Sequence, residues 1–97
     1  GVRVVRAASL PDGLAALRRD QGVRSLLVEG GAGLASALWE TEQVDRLVIL
    51  QAPIVLGAGS VPAFARAPGA RAEAARRLPV LLRRELGADL LTVYAVR

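Results

Sequence analysis

Between Leu26 and Leu38 the chain reads LLVEGGAGLASAL, an apolar run that breaks at Gly30-Gly31-Ala32-Gly33 and resumes with helical spacing. A continuous apolar run of this length fits a central strand covered on both faces. The glycines after it let the backbone turn tightly and approach a ligand closely, and the helix that follows points its partial positive end at the same place. A phosphate or pyrophosphate is the natural guest of such a turn. The spacing is neither G-x-G-x-x-G nor a P-loop. As a local pattern it therefore leaves two readings open, an anion site or a tightly packed strand-to-helix turn.

The surrounding sequence repeats the strand-helix alternation. Val2 to Arg6 (VRVVR) is a short β-branched stretch,. Ser9, Pro11 and Asp12 are helix-start signals ahead of the stripe of Leu14 and Leu17, and Gly22 is a natural stop,. Ser25 to Glu29 forms the next strand, Leu34 to Thr41 a helix, and Asp45 to Gln51 (DRLVILQ) a third strand closed by Ala52-Pro53. The first half thus predicts β-α-β-α-β with parallel strands. Residues 65 to 77 are rich in Ala and Arg and read as a loop with about one helical turn,. Leu78 to Glu85 and Leu90 to Val96 are strand-like around Leu86-Gly87-Ala88-Asp89, which signals a terminal antiparallel hairpin,. The expected fold is α/β with a mixed sheet.

Composition narrows the chemistry. The 97 residues include no Cys and no His, so thiolate chemistry, the usual zinc sites and Ser-His or Cys-His catalysis are excluded within this chain,. All thirteen basic residues are Arg, against nine acids, for a net charge of +4. They are scattered, and only Trp39, Phe64 and Tyr94 are aromatic, so no stacking platform for nucleic acid is expected,. No apolar run reaches the ~18 residues of a membrane span, and the start lacks a signal-peptide centre. A cytoplasmic location is expected. The chain is 53% hydrophobic, a surplus that suits a piece of a larger domain, as does Gly1 in place of Met.

Glu29 sharpens the glycine turn. It is an acid at the carboxyl end of an apolar strand, where open α/β sheets place their ligands. A substrate ligand accepting hydrogen bonds from hydroxyl or amine groups is one reading, and a surface residue or local cap is the other. General acid-base work is less supported, because no second titrating partner is visible nearby.

Taken in order, Val28-Glu29-Gly30-Gly31-x-x-Leu34, Val44-Asp45-Arg46-Leu47 and Ala52-Pro53-Ile54-Val55-Leu56-Gly57 with Gly59 resemble the C-terminal reductase domain of the bifunctional riboflavin-biosynthesis deaminase/reductase, a relative of dihydrofolate reductase. The likeness runs from about Ser25 to Phe64, and the terminal hairpin fits it. It implies a dihydrofolate-reductase-like three-layer sandwich, of which residues 1–97 would be the C-terminal part of a single reductase domain. It further implies NADPH as cofactor and reduction of the ribosyl group of 5-amino-6-(5-phosphoribosylamino)uracil to a ribityl chain. The position matching Glu29 contacts that small-molecule substrate. Those matching Gly31, Ala32, Gly33, Leu34, Ala35, Ser36 and Ala37 line the NADP phosphates, with Ser36 able to add a hydroxyl contact. The resemblance also implies a cis bond at Gly30-Gly31 and a homodimer with Val44 to Leu50 near the contact. No metal site is expected.

The departure from the family is length. The part that carries most substrate contacts is absent here, as is the zinc deaminase, so this stretch by itself is expected to be inactive and its catalytic residues are not identifiable. Two rivals remain at this level: another reductase of the superfamily acting on a pterin-type heterocycle, and a non-catalytic nucleotide-binding or oligomerisation module. Trp39 reads as core or interface rather than a stacking face. Ile54 to Gly59 borders the cofactor or merely turns the chain, and Arg76-Arg77 and Arg83-Arg84 read as solvated.

Overall fold

Ser9 starts the first helix for a local reason. Its side-chain oxygen accepts a hydrogen bond from the Asp12 N–H at 3.2 Å, and Pro11 occupies the first turn, where a missing N–H costs nothing. Helix α1 runs Leu10–Gln21, carries Arg18 and Arg19 in its last turn, and stops at Gly22 with φ 69. Only glycine adopts that left-handed conformation without penalty. Beyond it, the Val23 N–H donates to the Leu17 carbonyl at 3.1 Å. The sequence signals for α1 are met residue by residue.

The computed structural model describes residues 1–66 and 75–97. The chain divides into two compact units, Gly1–Gln43 with Ala63–Arg66, and Val44–Pro62 with Ala67–Arg97. The core of the Ala/Arg-rich stretch expected to be a loop, residues 67–74, lies outside the described residues.

The first unit holds α1 and helix α2, Ala32–Glu40. Helix α2 begins two residues before the predicted Leu34, because Ala32 and Gly33 already belong to its first turn. It buries Ser36 and Leu38. At its far end Thr41 caps the helix, its Oγ1 donating to the Ala37 carbonyl at 2.6 Å. A wide-open apolar depression of about 580 Å³ lies in this unit, lined among others by Leu14 and Leu17 of α1, by Leu26 and Val28, and by Leu34 and Leu38 of α2.

The second unit is a three-stranded antiparallel sheet of β1 (Arg46–Gln51), β2 (Val80–Leu86) and β3 (Asp89–Ala95), in the order β1-β3-β2. Gly87, with φ 63, opens the two-residue loop between Leu86 and Asp89, a position where hairpin turns need a left-handed residue. The terminal hairpin is therefore formed as expected, with a bulge between Val80 and Leu82. Strand β3 is central and the best covered; β2 is exposed along its whole length.

Two of the expected strands are not formed. Val2 to Arg6 and Ser25 to Glu29 lie outside helix and strand, and neither has a backbone hydrogen-bond partner among the described residues. A strand exists only through its pairing, and the parallel pairs that would make the sheet mixed do not occur among the described residues. The apolar side chains of these stretches stay open to solvent: Val2 is 94% exposed and Leu27 78%. Among the described hydrophobic residues only Leu38 and Val96 count as buried. The apolar surplus noticed in the composition is visible as uncovered surface.

Candidate functional site

The glycine turn and the start of α2 lie in the first unit. The Gly30-Gly31 peptide bond is cis, as the resemblance implied, and Gly30 has φ 134. Gly31 is the N-cap of α2 and supplies no side chain to it. The first backbone bond of the helix runs from the Ala35 N–H to the Gly31 carbonyl at 3.0 Å. The N–H groups of Ala32, Gly33 and Leu34 precede it and have no acceptor among the described residues,. A Cβ placed on Gly31 or on Gly33 would meet no atom within 4 Å. The turn therefore presents unpaired donors to open space, at the positive end of a helix. That donor set fits an anionic phosphate tail.

The seven residues from Gly31 to Ala37 do not contribute alike. Gly31, Ala32, Gly33 and Leu34 form the open end. Ala35 and Ala37 have their N–H groups inside the helical ladder and have only methyl surface left to offer. Ser36 is different again: it is 1% exposed. Its Oγ accepts the Ala65 N–H at 2.9 Å and the Arg66 N–H at 3.1 Å.

Glu29, immediately before the cis pair, is exposed. Its carboxylate makes no hydrogen bond or ion pair among the described residues, so it caps nothing locally and lies at the surface. Trp39 packs edge-on against Phe64, with ring centroids 5.8 Å apart and planes at 71°, which matches its expected packing role. Ile54 to Gly59 belongs to the second unit, where the Ser60 N–H and hydroxyl both donate to the Gly57 carbonyl, at 3.2 and 2.8 Å. Arg83 and Arg84 are exposed on β2, and Arg76 and Arg77 are exposed as well, although the Arg76 guanidinium donates to the Val96 carbonyl.

One grouping was missed in the sequence. Arg66 forms a two-pronged pair with Glu40 at the end of α2, at 2.7 and 3.0 Å. The hydrogen bond from Arg66 holds the Glu40 carboxyl below the ordinary range, with attraction between the charges adding to it and partial desolvation opposing it. The only sequence signal was an acid and an arginine flanking two aromatics, and nothing in their spacing brings them together. Among the described residues there is no cluster of acids suited to a metal ion.

Two helices in one unit, an antiparallel sheet in the other and an open glycine turn feeding a helix define the class: part of an α/β domain of the dihydrofolate-reductase type. Within that class, residues 2–90 match the RibD C-terminal domain, and the chain belongs to that family. A stretch of 38 residues is 55% identical to the riboflavin biosynthesis protein RibD of Corynebacterium ammoniagenes, covering 39% of this chain and 11% of that protein. Two solved forms of RibD from Acinetobacter baumannii share the fold, with TM-scores of 0.84 and 0.83 at 23% identity. Each match covers 94% of this chain but 25% of theirs. The chain spans a small part of the length of these relatives.

Proposed function

We propose that this chain is the C-terminal, cofactor-binding part of a reductase domain of riboflavin biosynthesis. That domain uses NADPH to reduce the ribosyl group of 5-amino-6-(5-phosphoribosylamino)uracil to a ribityl chain, and it works as a homodimer. The observation that carries the reading is the start of α2: three unpaired N–H groups with open space above Gly31 and Gly33, next to the open carboxylate of Glu29. Membership of the RibD C-terminal domain family supports it.

When bound, the cofactor supplies the hydride. The work of this chain is to bind and orient. The amides of Ala32, Gly33 and Leu34 hold the phosphates, with the helix dipole behind them. Gly31 and Gly33 keep the approach clear, and Leu34 and Ala35 give the tail an apolar flank. Glu29 accepts hydrogen bonds from hydroxyl groups of the substrate and fixes the ribosyl chain at the end of the turn.

The test is a titration of NADPH into the full-length protein and its Gly31→Val variant, followed by cofactor fluorescence. A Cβ at this position meets no protein atom within 4 Å, so the branched side chain starts into the space assigned to the ligand. The variant is expected to bind at least about tenfold more weakly, a loss of ~1.4 kcal/mol. Equal, tight binding by both would remove the phosphate turn. Binding by neither would favour a module without this cofactor.

A further inference from the structure

Ser36 sits in the middle of the helix that follows the glycine turn, yet its hydroxyl is taken by another segment. A mid-helix serine that is buried needs a partner. Here it has two, the N–H groups of Ala65 and Arg66. The Ala65 N–H also reaches the Ala32 carbonyl at 3.2 Å, which belongs to the first residue of the proposed phosphate turn. Further along, Phe64 packs on Trp39 and Arg66 pairs with Glu40. Residues Ala63–Arg66 thus lie along α2 from its first residue to its last, fixed at four points.

We propose that Ala63–Arg66 is a strap clamped onto α2, and that Ser36 is a positioning residue for the nucleotide turn rather than a ligand of the phosphates. Its acceptor oxygen is saturated by two amides, and its burial leaves no face for a ligand. By holding Ala65 against the Ala32 carbonyl, it fixes the orientation of the first peptide of the helix. The Gly33 N–H, which shares a peptide plane with the Ala32 carbonyl, is then set before the ligand arrives, which lowers the ordering cost of binding,. Glu40 and Arg66 fasten the other end. This inference rests on the reading of the glycine turn as a nucleotide site, but the strap can be tested without nucleotide.

Hydrogen exchange at the Ala65 and Arg66 amides, measured on the full-length protein without cofactor, reports the clamp directly. Both amides are expected to be protected, with protection falling at least about tenfold in Ser36→Ala and recovering in Ser36→Thr, which restores the hydroxyl. NADPH affinity should weaken in Ser36→Ala and also, through the other end of the strap, in Glu40→Gln, each by a factor of about three to ten. Circular dichroism identifies a variant that has lost its fold, and Glu40→Gln, at an exposed position, then carries the comparison. Unprotected amides in the parent protein would overturn the proposal. So would Ser36→Ala weakening NADPH while the amides stay protected, since that outcome makes Ser36 a direct ligand. Gly31→Val reports separately on the phosphate turn: if it leaves NADPH binding unchanged, that reading fails while the exchange result still decides the strap.

Discussion

At the scale of single residues, the site divides between groups that face outward and groups already engaged. Glu29 is the clearest of the first kind, an exposed carboxylate one residue before the glycine pair with no partner among the described residues. On the proposed function, with Glu29 holding the substrate and not the cofactor, Glu29→Gln in the full-length protein should raise KM for the proposed pyrimidine substrate about tenfold or more, in line with losing a charged hydrogen bond. The dissociation constant of NADPH should not move. A matched rise in both constants would place Glu29 in the cofactor site instead. Ser36 is the clearest of the second kind, and the sequence hid this. Its hydroxyl was visible and so was its position on a helix, but its partners are backbone amides 29 and 30 residues away. Amides carry no residue type, so no spacing rule reaches them.

At the scale of elements, what could be read from sequence is what local chemistry decides. The Ser9 cap, the Gly22 stop, the glycine turn into α2 and the Gly87 hairpin each depend on residues within a few positions of one another, and each is present. Val2 to Arg6 and Ser25 to Glu29 have equally good strand composition, yet composition supplies no partner, and neither becomes a strand. The strap is also an element-scale device, and acid should loosen it. Because Arg66 lowers the Glu40 pKa in the folded protein, the pair contributes fully above the unfolded carboxylate pKa and is lost as pH falls through the folded value,. Both side chains are about half exposed, so the contribution is modest and screened by salt. Exchange at the Arg66 amide should accordingly quicken, relative to neighbouring amides, as pH drops below the ordinary glutamate range. Glu40→Gln should abolish that dependence. An unchanged profile in the variant would assign the effect to another carboxylate.

At the scale of the whole molecule, the dominant fact is uncovered apolar surface. Val2, Leu27, Val55 and Val61 are all more than three-quarters exposed, and apolar area on this scale seeks cover. The 97-residue chain made alone should self-associate, with a sedimentation coefficient that climbs with concentration and with binding of an apolar dye. A monodisperse monomer that ignores the dye would mean the surface is tolerated in water. The order of the sheet adds a constraint of timing. Strand β3 lies between β1 and β2 but is the last of the three in sequence, and Arg46 finds Ala95 as its opposite residue. The hairpin can zip locally, whereas recruiting β1 means closing a long loop, which is entropically slower. On the ribosome, neither outer strand has a place to go until β3 has emerged. Until then Leu47 to Leu50 would travel as a bare sticky segment, and a nascent-chain chaperone would find its natural client there.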